Sequence, residues 1–390
     1  GSVTTTTATP TRFRWDRLTY ASALGYCLLV AALSVGVVLG ELRAQFGLSG
    51  VVAAVSMGVH AQDKAVELKF AHWLPGSHPL AKLGFEPWAK SVEAASNGSI
   101  KVALFPAQQL GKAADHYDMV RDGIADMSWV SPGYQAGRFP VFAAAELPFQ
   151  ISKPGPGSAA VDKWYRNYAT AEMKDVRLCF AHVHIGTLHS KKPISEPSQI
   201  KGMKIRPANG TVAQTMSLLG ATNVQVSAPE SRDALEKGVA DAITFPWNSL
   251  ISFSIDKAVK NHTDMRLYAA AFTWVMNPTW YSKLSVSQKK VMDDHCNNDW
   301  AGKVGSAWGD DEDSGQGKLE KQGHTIVQLT PQQLDAWKKA VEEDPDHVQA
   351  EHARRSRTEA PRSWYGRARN GRTSKNNTFR SFASPPRASR

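Results

Sequence analysis

Arg206 is the residue of this sequence whose position most clearly suggests a chemical role. It ends a short apolar segment between Gly202 and Pro207, and it precedes Asn209, a residue suited to begin a helix. A guanidinium at a strand end would face a cleft, where its planar set of donors matches the two oxygens of a carboxylate. On position alone a surface salt bridge is the default interpretation, and a carboxylate-binding arginine is the alternative.

Aromatic residues lie at or near the ends of several predicted strands, where rings can form the walls of a ligand site. An aromatic residue on a strand is equally at home in a core, so both roles stay open for each of them. Their loop neighbours supply polar groups. The predicted ligand-binding residues are Arg206, Trp73, His72, Tyr134, His184, Asn209, Phe245, Trp247 and Asn248.

Histidines form the second cluster that could do chemistry. His182 and His184 are two residues apart on one predicted strand and so share a face, His189 follows, and His72 and His78 lie in the first loop. A metal site, hydrogen bonding within a pocket and ordinary buried histidines are all compatible with this pattern. Because cysteine and acidic partners are scarce nearby, we predict no metal and no other cofactor.

Sequence motifs of the common enzyme classes are missing. The chain contains no GxSxG, no GxxxxGK[ST], no HExxH and no GxGxxG after a strand. This lowers the weight of an enzymatic function, and we predict no catalytic residue.

The elements that must position these residues alternate between strand and helix. Strands are predicted at 66–70, 100–105 and 127–130 with helices at 83–95 and 116–122, and a loop at 152–157 precedes a helix at 159–174. A second series has strands at 177–184, 203–206, 223–226 and 242–245 with helices at 212–219 and 231–237. Further helices are predicted at about 284–304 and 331–343. This alternation indicates an α/β protein of two lobes.

The two ends of the chain differ in composition from its body. Apolar runs at 18–40 and 46–59 indicate an export signal, with cleavage favoured after Ala61; the first run is also long enough to be a membrane anchor. Of the net charge of +10, residues 351–390 carry +9 and residues 1–61 carry +2, which leaves −1 for residues 62–350. A nearly neutral body argues against nucleic-acid binding. The basic tail is predicted to be disordered.

Three cysteines are present, at positions 27, 179 and 296, and none belongs to a CxxC pair. In an oxidising compartment Cys179 and Cys296 could form a disulfide, or they could remain two buried free thiols. Sequence separation does not decide between the two.

Several segments, in their order, resemble the solute-binding proteins of tripartite ATP-independent periplasmic (TRAP) transporters. The first lobe contributes HWLP at 72–75, LFPAQQLG at 104–111 and LPF at 147–149. The second contributes IKGMKIRP at 200–207, LGA at 219–221, APE at 228–230 and KGVADA at 237–242. The resemblance covers roughly residues 66–345, and the segment that ends in Arg206 and Pro207 is its most specific part.

The resemblance implies a two-lobed periplasmic clamp with mixed sheets, hinge strands and bracing carboxy-terminal helices. We expect lobe I at 62–176, the core of lobe II at 177–250, and hinge and bracing helices at 251–350. It also implies that Arg206 binds the carboxylate of a small organic acid, which is delivered to the membrane permease. In the sialic-acid branch a second arginine precedes the main motif, whereas this chain has His182, His184 and Gly186 there. The expected ligand is therefore a small monocarboxylate with an apolar or aromatic body.

Two alternatives stay open at this stage. An ABC-type periplasmic binding protein shares the clamp and differs in its membrane partner, and an exported metal-dependent α/β enzyme would use the histidine cluster. In the favoured interpretation the protein is periplasmic, monomeric and not an enzyme.

Overall fold

A computed structural model of the chain describes residues 63–342. The predicted export segment at 1–61 and the predicted disordered tail at 351–390 lie outside the described residues. Within the described range, no helix is both long and apolar enough to cross a membrane.

Within residues 63–342, nine strands form one mixed sheet. Their order across the sheet is β2-β1-β3-β8-β4-β7-β5-β6, and β9 pairs with β8. The strands are β1 (Val66–Ala71), β2 (Ile100–Phe105), β3 (Met127–Val130), β4 (Arg177–Ser190), β5 (Lys204–Arg206), β6 (Thr222–Asn223), β7 (Ala242–Phe245), β8 (Asn261–Met276) and β9 (Thr325–Gln328).

The sheet has a parallel group at each end and an antiparallel pair at its centre. β1 pairs in parallel with β2 and β3, and β5 pairs in parallel with β6 and β7. The long strands β4 and β8 pair antiparallel along their whole length and join the two groups. Because both strands continue from one group to the other, they occupy the position of hinge strands. The boundaries of the two lobes stay a prediction.

Helices cover the sheet and follow most strands, as the alternating sequence predicts. They are α1 (Glu86–Ala95), α2 (His116–Arg121), α3 (Pro154–Tyr165), α4 (Ala169–Glu172), α5 (Gly210–Leu218), α6 (Ser231–Glu236), α7 (Trp247–Ser252), α8 (Pro278–Ser282), α9 (Val286–His295), α10 (Asn298–Lys321) and α11 (Pro331–Glu342). The region predicted as one helix at 284–304 is two helices, because the Asn297 side chain accepts a hydrogen bond from the Trp300 N–H and starts α10 anew.

α3 begins earlier than its sequence suggests, within a segment predicted to be a loop. Gly155 of this helix lies against α10, where a Cβ would stand 2.0 Å from the Ser306 hydroxyl, and a Cβ at Gly305 of α10 would stand 2.1 Å from the Ser158 hydroxyl. Glycine at both places lets the two helix backbones approach closely, and this packing compensates for its low helix propensity.

A disulfide joins Cys179 on β4 to Cys296 at the end of α9. This answers the question that the sequence left open. Beside it, the Arg166 guanidinium donates to the carboxylate of Asp162 (2.8 Å) and to the carbonyl oxygen of Cys179 (2.6 Å). The side chain of Asp162 is fully buried. The ion pair and the disulfide together fix α3 and the α9–α10 junction to β4.

Nine histidines are buried among residues 63–342, and for seven of them burial lowers the pKa to about 4 or below because the charged form loses its hydration. The pKa values fall to about 4 for His116, to about 2 for His262, and to about 3 for the other five. The other five are His72, His78, His182, His184 and His189. All seven are therefore neutral at neutral pH.

Lys260 and three histidines form a chain of hydrogen bonds beside β8. Lys260 Nζ lies 2.9 Å from His324 Nε2, His324 Nδ1 lies 2.8 Å from His262 Nε2, and His262 Nδ1 lies 2.8 Å from His189 Nδ1. His189 Nε2 in turn lies 3.0 Å from the Phe245 carbonyl oxygen. An ammonium group can only donate, so each histidine accepts on one nitrogen and donates from the other. The chain is thereby satisfied with every histidine neutral.

Candidate functional site

A cleft lies where the central strands meet the strand ends of the two parallel groups. Its walls are mostly aromatic and apolar, and the side chain of Arg206 is the one permanently charged group among them. The lining residues are Trp73, Leu74, His78, Trp129, Ser131, Tyr134, His184, Arg206, Ala208, Ala228, Phe245, Pro246, Ser249, Phe253, Tyr268, Ala270, Phe272 and Trp308.

Arg206 ends β5, and its side chain is buried with a relative exposure of 1%. Nε donates to the Val226 carbonyl (2.9 Å), and Nη1 lies 3.5 Å from the Thr244 carbonyl. Nη2 donates to the Tyr134 hydroxyl (3.2 Å). Across residues 63–342, no carboxylate lies within ion-pairing distance of this guanidinium. A buried cation without an anion is costly, and the remaining N–H groups are available to an anionic ligand.

Tyr134 brings a hydroxyl from the first parallel group to the strand end of the second. It ends a short 3₁₀ turn, Pro132–Tyr134, that follows β3. Its oxygen accepts one hydrogen bond from Arg206 and another from the Ala228 N–H (3.0 Å). With both lone pairs engaged, the phenol has its own proton left to donate. Tyr134 can therefore donate to the ligand that Arg206 attracts.

Packed aromatic rings form much of the cleft wall. Trp129 lies between Trp73 and Phe272, with centroid distances of 4.4 Å to each. Trp308, on α10, contacts His184 (4.1 Å) and Phe272 (5.6 Å). Such a wall excludes water and lowers the local dielectric constant, which strengthens an ion pair formed at Arg206.

The histidines of β4 contribute neutral groups to this wall. Trp129 Nε1 donates to His182 Nε2 (2.9 Å), and His184 Nδ1 donates to the Ile185 carbonyl (2.9 Å). Burial lowers the pKa of both to about 3. In the part of the chain that the structure describes, no group of three or more His, Cys, Asp or Glu side chains is arranged to hold a metal ion.

A second hydrogen-bonded group closes the cleft at α7. Leu80 N–H donates to His78 Nδ1 (3.1 Å), so the proton of this ring is on Nε2, which donates to the Ser249 hydroxyl (2.8 Å). The Ser249 hydroxyl donates to the Glu312 carboxylate, which also accepts from the Trp308 indole (2.8 Å). Burial raises the pKa of Glu312 to about 7, and these hydrogen bonds oppose the shift. The group fixes the first loop, α7 and α10 to one another.

Five of the residues predicted from the sequence lie in the cleft wall, and four do not. Arg206, Trp73, Tyr134, His184 and Phe245 line it. The other four do not line it and have different surroundings. His72 packs on Phe85 (4.6 Å), Asn209 accepts from Val212 N–H at the start of α5, Trp247 packs on His189 (5.3 Å), and Asn248 donates to Asp311 and lies 3.3 Å from Lys318 Nζ. In these four cases the sequence position is close to the cleft but the side chain points elsewhere.

The sequence-based prediction missed several residues of the wall. Tyr268 and Phe272 lie on β8, which was not predicted, and Trp308 lies in the middle of α10. An available signal was the two-residue spacing of Tyr268, Ala270 and Phe272, which places all three on one face of a strand. Trp129 was predicted to be on a strand but was not considered as a site residue.

The fold and the cleft define a class of protein: a two-lobed binding protein that encloses a small anionic molecule. The family model described as "Bacterial extracellular solute-binding protein, family 7" matches residues 70–352. The chain belongs to this family. The match favours the TRAP assignment over the ABC-type alternative, and the family is one of transport proteins.

Solved structures of the same fold agree with this membership. A TRAP solute-binding protein from Rhodoferax ferrireducens with copurified benzoate is 27% identical, with a TM-score of 0.69 over 75% of this chain and 99% of that chain. One from a marine metagenome, described as specific for aromatic acid ligands and holding 3-hydroxybenzoate, is 32% identical, with a TM-score of 0.72 over 76% and 94%. One from Bordetella bronchiseptica with bound mandelate is 28% identical, with a TM-score of 0.70 over 76% and 94%. The predicted two-lobed α/β fold class is confirmed.

Proposed function

We propose that this protein is the receptor of a TRAP transporter and that it captures a small aromatic monocarboxylate. The observation that carries the proposal is Arg206, a guanidinium with 1% exposure in an apolar cleft, without a carboxylate partner among residues 63–342. A bidentate carboxylate would supply the missing negative charge. The Tyr134 hydroxyl would donate to the same group.

The aromatic character of the ligand is supported by the wall. Six rings other than histidine and tyrosine line the cleft: Trp73, Trp129, Phe245, Phe253, Phe272 and Trp308. Rings favour offset-stacked or edge-to-face neighbours, which an aromatic acid offers and an aliphatic acid does not. Three structures at 27–32% identity hold benzoate, 3-hydroxybenzoate and mandelate, and this agrees with the proposal.

The number of charges in the cleft supports a monocarboxylate. Arg206 is the one permanently charged lining residue, and the two lining histidines, His78 and His184, have pKa values lowered to about 3. The second charge of a dicarboxylate would be buried without a partner, which is strongly unfavourable. Three elements of the proposal follow the family: capture in the periplasm by closure of the two lobes, a membrane permease as partner, and no catalysis. A monomeric receptor is part of the proposal as well.

A thermal-shift screen with matched ligands tests this function. The reference ligand is benzoate. Cyclohexanecarboxylate replaces its aromatic ring by a saturated ring, phthalate adds a second carboxylate, and benzamide replaces the carboxylate by a neutral amide. A ligand at 100 times its Kd stabilises the folded protein by about 2.7 kcal/mol. Benzoate should raise the Tm most, and benzamide should leave it unchanged. Equal shifts with benzamide and benzoate would contradict the role of Arg206, and a shift with phthalate alone would contradict a single-charge site.

A further inference from the structure

Tyr268 on β8 presents a buried hydroxyl to the cleft. Its side chain lines the cleft with a relative exposure of 1%, and the hydroxyl oxygen has no hydrogen-bond partner. Burial raises the pKa of Tyr268, so the group stays protonated and can donate. A buried hydroxyl left without a partner costs free energy, and a ligand atom in the cleft is available to supply one.

Gly186 explains how this ring reaches the cleft. Gly186 and Tyr268 are direct neighbours across the β4–β8 ladder. A Cβ at position 186 would stand 2.3 Å from both Cζ and the hydroxyl oxygen of Tyr268. Any other residue at this position would push the phenol away. The glycine therefore admits the ring over the β4 backbone and removes the side chain that would otherwise project there.

The phenol and the guanidinium share one end of the cleft, at Thr244. Arg206 Nη1 lies 3.5 Å from the Thr244 carbonyl oxygen. The Thr244 hydroxyl already accepts from the Ala208 N–H (2.8 Å), and it lies near the Tyr268 hydroxyl without making a hydrogen bond of normal geometry. The Thr244 hydroxyl and the charge of Arg206 both lower the pKa of Tyr268, but burial raises it by more. Both side chains line the same cleft.

We infer that the Tyr268 hydroxyl donates a hydrogen bond to the ligand carboxylate beside Arg206, and that Gly186 makes this contact possible. The inference rests on the proposed function and specifies its selectivity. Tyr268 is a neutral donor, so the carboxylate gains a further hydrogen bond without a second positive charge in the cleft. A site with one cation and neutral donors matches a ligand with one negative charge.

The test compares the wild-type protein with Tyr268→Phe and Tyr281→Phe, using benzoate as the probe in isothermal titration calorimetry. Tyr281 is the matched control, because its hydroxyl donates to Asp293 (2.8 Å) and it does not line the cleft. A hydrogen bond to a charged group predicts a 10- to 100-fold increase in Kd, as orders of magnitude, for Tyr268→Phe. The Kd of Tyr281→Phe should stay within about twofold of wild type.

A second measurement separates binding from folding. Without ligand, Tyr268→Phe removes an unpaired buried hydroxyl, so its Tm should equal or exceed that of the wild type. Weaker binding together with an undiminished Tm supports the inference, and a lower Tm with an unchanged Kd assigns Tyr268 to packing and overturns it. If the wild-type protein binds benzoate and Tyr268→Phe binds it with the same Kd, the inference is refuted and the proposed function is not affected. Wild-type protein that binds none of the aromatic acids refutes the proposed function, and the Tyr268 contact with it.

Discussion

Replacing Arg206 by methionine is the perturbation that most directly tests the structure. Methionine keeps an unbranched apolar side chain but removes the charge and the hydrogen bonds to Val226, Thr244 and Tyr134. In the complex, the ligand carboxylate would then be buried without its cation. Losing one partner of a buried pair costs about 3–5 kcal/mol, which is about 150- to 5,000-fold in Kd. Titration of benzoate into the variant measures this loss.

The stability of the ligand-free variant gives the complementary measurement. Hydrogen bonds are lost, but a buried charge without a counterion is removed, so the two effects on the free energy of unfolding oppose each other. Arg166→Met is the matched control. It leaves the buried carboxylate of Asp162 without its cation, and it should lower the free energy of unfolding by about 2–4 kcal/mol with an unchanged Kd. The reasoning is refuted if Arg206→Met binds benzoate within tenfold of wild type, or if Arg166→Met weakens binding as much.

Three further outcomes concern stability. The unfolded chain takes up protons on histidine below a pKa of about 6.5, whereas the folded chain keeps the seven histidines with strongly lowered pKa values neutral. Their contribution to stability should therefore be complete above this pH and be lost as the pH falls towards 4. The raised pKa values of Glu146 (about 8) and Glu312 (about 7) have the opposite effect on stability, but these are two groups against seven histidines. Urea midpoints that stay constant from pH 7 to pH 5 would contradict the expected net loss of stability. The double substitution of Cys179 and Cys296 by serine opens a loop with a sequence separation of 117 and should cost about 2–5 kcal/mol in urea denaturation; an unchanged midpoint would show that the disulfide adds nothing. His262→Leu leaves groups on His189 and His324 unpaired and should cost about 2–5 kcal/mol, without change in the Kd for benzoate; a loss of affinity instead would link the histidine chain to the site.

Much of the fold could be predicted from the sequence, because its short strands alternate between apolar and polar residues or end at turn residues. The strands at 100–105, 127–130 and 242–245 have the predicted bounds. β8 was missed, since its centre contains Ala269, Ala270 and Ala271 and both faces are buried. Alanine favours helix, and a strand buried on both faces shows no simple alternation of apolar and polar residues. β4 was predicted too short for a related reason, because its pairing with β8 extends it to Ser190.

The site was harder to predict than the fold because it depends on contacts distant in sequence. Arg206, Tyr134 and Phe245 follow strands and could be found locally. The position of the Tyr268 ring in the cleft depends on Gly186, which lies opposite it in the ladder and 82 positions earlier in the sequence. The position of Trp308 depends on how α10 crosses the sheet. Local pattern also cannot give the direction of a side chain, which is why Trp247 and Asn248, next to the cleft in sequence, contact α10 and the histidine chain instead.

The tryptophans of the cleft wall have an optical consequence. The indoles of Trp73, Trp129 and Trp308 line the space that a ligand would fill. Indole emission responds to the polarity of its surroundings and to nearby quenchers, so displacement of water by an aromatic acid should change the intrinsic fluorescence of the protein. An acid that absorbs where indole emits would also quench it by energy transfer. The receptor thus contains its own reporter, and the arrival of a ligand can be followed in a stopped-flow fluorimeter without any label.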